Sequence, residues 1–201
     1  MDHASRDRQI QEHLDAIRRL QAAPAAATDA GPAWPPRGYY FLWHVVVGMM
    51  LGFLGAAVSL GANAVFAPLF GKDPLQLIRV YLTFPMGERA LTAHEGAVLT
   101  VGCILYLITG GLYGVLFHLI MSGPFAKAGL AARFIVGSLI GLGLWVVNFY
   151  LILSWLQPAL LEGNWILEEI PWWVAALTHL AFAWTMLAVE GFGRFDAEKH
   201  A

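Results

Sequence analysis

Residues 96–126 read GAVLTVGCILYLITGGLYGVLFHLIMSGPFA, 31 residues without one Asp, Glu, Lys or Arg. A soluble amphipathic helix shows an apolar stripe of period 3.6 beside a polar face, and this stretch has no polar face. A hydrocarbon core about 30 Å thick needs about 20 helical residues, so the run is long enough to cross a bilayer once and too short to cross it twice.

Three further charge-free runs have the same character, at 38–71, 134–161 and 170–189. Over the whole 201-residue chain 58% of residues are hydrophobic and only 13% charged, and mean hydropathy is +0.61, which places it among membrane proteins. The expected fold is an all-α integral membrane protein, a four-helix transmembrane bundle with spans near 40–66, 88–121, 131–156 and 171–191 inside a domain of residues 38–192. Between the first two spans, Asp73-Pro74 reads as a helix start, opening a short amphipathic helix from Leu75 to about Phe84 that lies along the outer surface and ends at Pro85.

Residues 1–37 form a cytoplasmic arm. Ile10, Leu14 and Ile17 share one face of a thinly amphipathic helix, and an Ala/Pro linker ending in Trp34-Pro35-Pro36 follows. Asp2, Asp7, Glu12 and Asp15 in this region argue against a cleavable signal or a transit peptide. Residues 193–201 are a short cytoplasmic tail.

Basic residues give the orientation. Arg6, Arg8, Arg18, Arg19, Arg37, Lys127, Arg133, Arg194 and Lys199 fall on one side, against Lys72, Arg79 and Arg89 on the other, so both termini are expected in the cytoplasm. Tyr39, Tyr40 and Trp43 at one edge and Trp165, Trp172 and Trp173 at the other are interfacial anchors. Nine Arg against three Lys, with abundant Ala and Gly, suits a GC-rich bacterial genome and hence a bacterial inner membrane.

Small residues recur at helical spacing: Gly48, Gly52 and Gly55, then Gly110 and Gly114, then Gly137 and Gly141. Helices associate in lipid where such faces let backbones approach. The faces serve internal packing, or one of them docks another subunit or a second copy of the chain.

Four histidines lie in or at the edge of the spans: His44, His118, His94 and His179. Ionisable groups at membrane depth are costly, and paired histidines on facing helices are a way to hold haem. Counting residues from the span ends brings His44 level with His118, and the prolines at 85 and 171 bring His94 level with His179. His94 and His118, 24 residues apart on one helix, would be separated by about 36 Å, longer than the hydrocarbon core, which disfavours two haems. With the span starting near Glu88, Glu95 beside His94 lies two turns inside it, and Glu190 is its counterpart near the other face, so His94, Glu95 and Glu190 are candidates for a proton or ion path. Asn63, Asn148 and Gln157 are expected to hydrogen-bond between helices.

Cys103 is the only cysteine, which excludes an internal disulfide and a multi-cysteine metal site, and no metal centre is expected. No phosphate-binding loop, dinucleotide fingerprint, metalloprotease motif or nucleophile elbow is present, so the chain is not expected to be an enzyme on its own, and a net charge of −2 gives no attraction to nucleic acid. The leading expectation is a small accessory subunit of a larger membrane complex, respiratory or electron-transferring, surrounded by lipid and binding no cofactor. The alternatives are a b-type cytochrome holding one haem b and a small proton or ion conductor centred on His94 and Glu95.

Overall fold

The computed structural model describes residues 11–15, 37–161 and 163–193. Residues 11–15 are helical and exposed; the rest of the expected arm, most of the linker and the tail beyond Gly193 lie outside the described residues. The chain divides into two units, Met1–Tyr39 and Tyr40–Ala201, and the second carries the fold.

The described residues are helical without a strand. In chain order they form α1 (Arg37–Phe66), α2 (Gln76–Met86), α3 (Gly96–Ser122), α4 (Leu130–Leu161), the short α5 (Trp165–Glu169) and α6 (Trp172–Val189). A 3₁₀ turn, Glu190–Gly193, prolongs α6. Four segments are long and apolar enough to cross a membrane: Tyr40–Phe70, Gly96–Ser122, Leu130–Leu161 and Trp172–Gly193.

The second span starts later than residue 88. Gly87, with φ 65° and ψ −154°, closes α2; residues Gly87–Thr92 wind as a 3₁₀ turn, and Ala93 and Glu95 are extended. A chain in that conformation cannot join the helix, so α3 begins at Gly96. Glu95 stands at its N-cap, not two turns inside.

The helix after Asp73-Pro74 also differs from expectation. It runs one residue past Pro85, and Gly87 N–H then caps Thr83 O. It does not lie along the surface: Leu77, Ile78, Val80 and Leu82 are buried, and Ile78 and Leu82 close on α3 where Gly102 leaves room, a Cβ there falling 2.7 Å from Ile78 Cγ2. α4 runs to Leu161 through Pro158, with a wider π-helical stretch over Val147–Leu153 in which Asn148, Phe149 and Leu153 are buried.

The glycines explain how the long helices meet. A Cβ on Gly52 would fall 2.8 Å from Gly114 Cα, and one on Gly48 would fall 2.8 Å from Val115 Cα, so α1 and α3 approach backbone to backbone. Gly110 receives Ala56 at the same seam. On α4, Gly141 faces Ala183 and the His179 carbonyl and Gly137 faces Leu187, while Gly55 of α1 receives the Phe182 ring. All seven glycines of the sequence pattern are thus used within the chain. Gln157, fully buried, pins three elements: its Nε2 donates to Thr83 Oγ1 (2.8 Å) and its Oε1 accepts from Ile166 N (3.0 Å).

Candidate functional site

Polar groups gather at three levels of the bundle. At the end where α1 begins and α3 finishes, His44 Nδ1 lies 3.1 Å from His118 Nε2, with the ring centroids 5.2 Å apart. Counting from the span ends therefore brings the right two residues together. Ser122 Oγ donates to His118 O (2.6 Å) and lies 3.5 Å from His44 Nδ1. His118 is fully buried and its Nδ1 has no hydrogen-bond partner among the described residues. A buried bare acceptor is tolerated better than a buried bare donor, so His118 carries its proton on Nε2 and donates it to His44. Gly193 closes this level from below: its carbonyl accepts from Trp43 Nε1 (3.3 Å), and a Cβ there would meet His118 Cε1 at 2.9 Å.

This geometry bears on haem. Axial histidines stand on opposite faces of a macrocycle; His44 and His118 bond to each other directly, and the backbone of Gly193 fills the space at the edge of the His118 ring. As placed, the pair does not flank room for a porphyrin.

In the same region Glu190 and Arg133, both buried, form an ion pair, and Arg133 Nη1 donates to Phe125 O (3.4 Å). The pair ties the end of α6 to the first turn of α4. Glu190 is thus held by a guanidinium, and it does not share a site with His94 or Glu95.

Those two residues sit at the opposite end, exposed ahead of α3. Their organiser is Arg79 of α2, whose aliphatic stem is buried: Nη1 pairs with Asp73 Oδ1 (2.9 Å), Nε donates to Ala93 O (2.9 Å), and Nη2 lies 3.4 Å from His94 Nδ1. The Leu75 amide (2.7 Å) and Arg79 hold the Asp73 carboxyl below the usual carboxylate range. Hydrogen bonds from its own amide and that of His94 likewise lower Glu95.

His94 does not meet His179. The latter stands inside α6 with Nδ1 2.8 Å from Ala175 O and its ring edge-on to Phe149. It lines a third polar level, a cavity of about 60 Å³ between α2, α3, α4 and α6 that also presents Tyr81, Tyr106, Tyr113 and Asn148. A larger groove of about 660 Å³ opens between α1 and α6, with Lys72, Gln76 and Glu169 at one end and Phe66, Leu177 and Trp184 among its apolar walls.

Sequence reasoning passed over Arg79 and Thr83 as organisers. The signal was available: Gln76, Arg79 and Thr83 recur at i, i+3 and i+7 among apolar neighbours, a polar stripe on a helix whose other residues are hydrophobic.

The architecture defines the class: an all-helical membrane bundle with four spanning helices. No protein-family model, no characterised protein and no solved structure matches this chain.

Proposed function

We propose that the chain is a small non-catalytic subunit of a larger membrane complex, inserted in a bacterial inner membrane with both termini in the cytoplasm. The orientation rests on the nine basic residues of one side against three of the other.

The observation that carries the subunit reading is Gly143. The glycines of the internal seams are accounted for by contacts within the chain, but Gly143 is exposed, and a Cβ built on it meets nothing within 4 Å. It interrupts an outward row on α4 of large apolar residues, Ile135 and Leu139 before it and Leu151 and Trp155 after it. On a surface facing only lipid a glycine adds neither packing nor apolar area and lowers helix propensity. As a notch between large side chains, it suits close approach by another helix.

The test is gentle detergent purification of the tagged protein from its native membrane, with identification of co-purifying chains and a reduced-minus-oxidised visible spectrum. The expected result is a colourless preparation with stoichiometric partners that dissociate from Gly143→Leu. A haem b band lost on His44→Ala would replace this reading with the cytochrome. A colourless chain with no partner, or undiminished partner retention by Gly143→Leu, would overturn it.

A further inference from the structure

The partly open cavity bordered by α2, α3, α4 and α6 is walled mostly by apolar residues, and the hydrogen bonds of its polar lining groups can be followed one at a time. Thr109 and Thr178 spend their hydroxyls on the carbonyls of Leu105 (2.9 Å) and Val174 (2.7 Å). Tyr106 OH meets Ser59 Oγ at 3.1 Å, and Ser59 in turn donates to Thr178 O (2.8 Å).

Four lining residues keep unmet capacity. Tyr81, Tyr113 and Asn148 make no side-chain hydrogen bond among the described residues, although Asn148 is only 8% exposed. His179 is the fourth. Because the Ala175 carbonyl can only accept, His179 carries its proton on Nδ1, and Nε2 of the neutral ring is left as an acceptor. Asn148 stands in the π-helical stretch, and such turns recur at functional positions.

These groups define what fits. His179 Nε2 needs a donor, the Asn148 amide both donates and accepts, and each tyrosine hydroxyl does both. Among the described residues no Asp, Glu, Lys or Arg lines the cavity to offset a charged guest. The space of about 60 Å³ has room for on the order of four waters and not for an organic cofactor.

We propose that this cavity is an internal hydration site, holding a small cluster of water bonded to Asn148, His179 Nε2, Tyr81 and Tyr113 inside the membrane-spanning bundle. The inference is independent of the subunit reading, since it concerns only the interior of this chain.

The test is hydroxyl-radical footprinting by X-ray radiolysis of the full chain in lipid nanodiscs, in which bound water generates the radical locally. Tyr81 and Tyr113 are expected to oxidise several-fold faster than Phe117, which is fully buried away from the cavity. In Asn148→Leu, which fills the cavity with hydrocarbon, that labelling is expected to fall several-fold while labelling of exposed Trp172 stays unchanged. Cavity tyrosines labelled no faster than Phe117 in the native chain would overturn the proposal, as would undiminished labelling in a folded Asn148→Leu protein. Should that variant fail to fold, xenon binding by the native chain decides. A dry apolar cavity takes up xenon, so saturable binding there refutes the water cluster and its absence supports it.

Discussion

The seam between α1 and α3 and the cavity between α2, α3, α4 and α6 both involve α3, yet they solve opposite problems. At the seam Gly48 and Gly52 meet Gly114 and Gly110, side chains are missing, and the backbones close on each other. At the cavity Tyr106 and Tyr113, on the same helix, share a lining with Asn148 and His179. Backbone contact dominates the first, with hydrogen bonds at its two ends, His44 to His118 and Ser59 to Tyr106; the second gathers polar side chains, several of which have no hydrogen-bond partner among the described residues. In a medium that offers no hydrophobic force between helices, the bundle alternates dry contact with polar ties.

That contrast can be broken most severely at the seam. Gly114→Leu would drive a side chain into Gly48 O and the Gly52 backbone, which cannot move aside as a flexible side chain can. The expected cost is at least about 3 kcal/mol, read as loss of monodisperse protein in detergent and a collapsed thermal midpoint. Gly143→Leu, on the same kind of residue without a neighbour among the described residues, is expected to leave stability unchanged or raise it by up to about 1 kcal/mol, since glycine is a poor helix former. Equal damage from the two would end the distinction between internal and outward glycines.

A polar tie should fail less severely. Gln157→Leu leaves Ile166 N–H without its acceptor and Thr83 Oγ1 without its donor, an expected loss of about 1–3 kcal/mol measured by thermal unfolding. A neutral result would show that water replaces both bonds. The smallest effect belongs to the exposed end. The Asp73 carboxyl has its folded-state pKa depressed, so its contribution is complete above the unfolded carboxylate range, near pH 4, and is lost as pH falls through the lower folded value. Asp73→Asn should lower stability slightly at neutral pH, where the native carboxylate contributes in full, and flatten the acid limb below about pH 4, where the two proteins converge. An unaltered acid limb would show that Asp73 carries none of it.

The spans were readable because a bilayer imposes one coarse requirement, a long run without charge, and the sequence meets it four times. Where α3 begins was not readable, because the decision lies in the positive φ of Gly87 and in a 3₁₀ turn containing Glu88 and Arg89, whose composition suits the start of a helix equally well. The same error put Glu95, with His94 beside it, two turns inside the span, whereas both precede α3. His44 and His118 were legible as neighbours since both lie on uninterrupted helices, where counting residues measures depth. The burial of α2 was not legible: a helix between two spans reads as superficial until Arg79 is seen paired with Asp73 and Ala93. The cavity escaped notice for a related reason, since it lies within a π-helical stretch of α4 that no periodicity announces.

The turn Glu190–Gly193 gives the order of assembly a direction. His118 lies on the second spanning helix, but Gly193 packs against its ring, and Arg133 in the first turn of α4 pairs with Glu190. Both contacts span from early helices to a turn far later in the sequence, so neither is made until residues 190–193 have joined the bundle. A chain cut before residue 190 would leave the His118 ring without the Gly193 backbone against it and Arg133 without the Glu190 carboxylate, although all the glycine seams between the long helices would still be present.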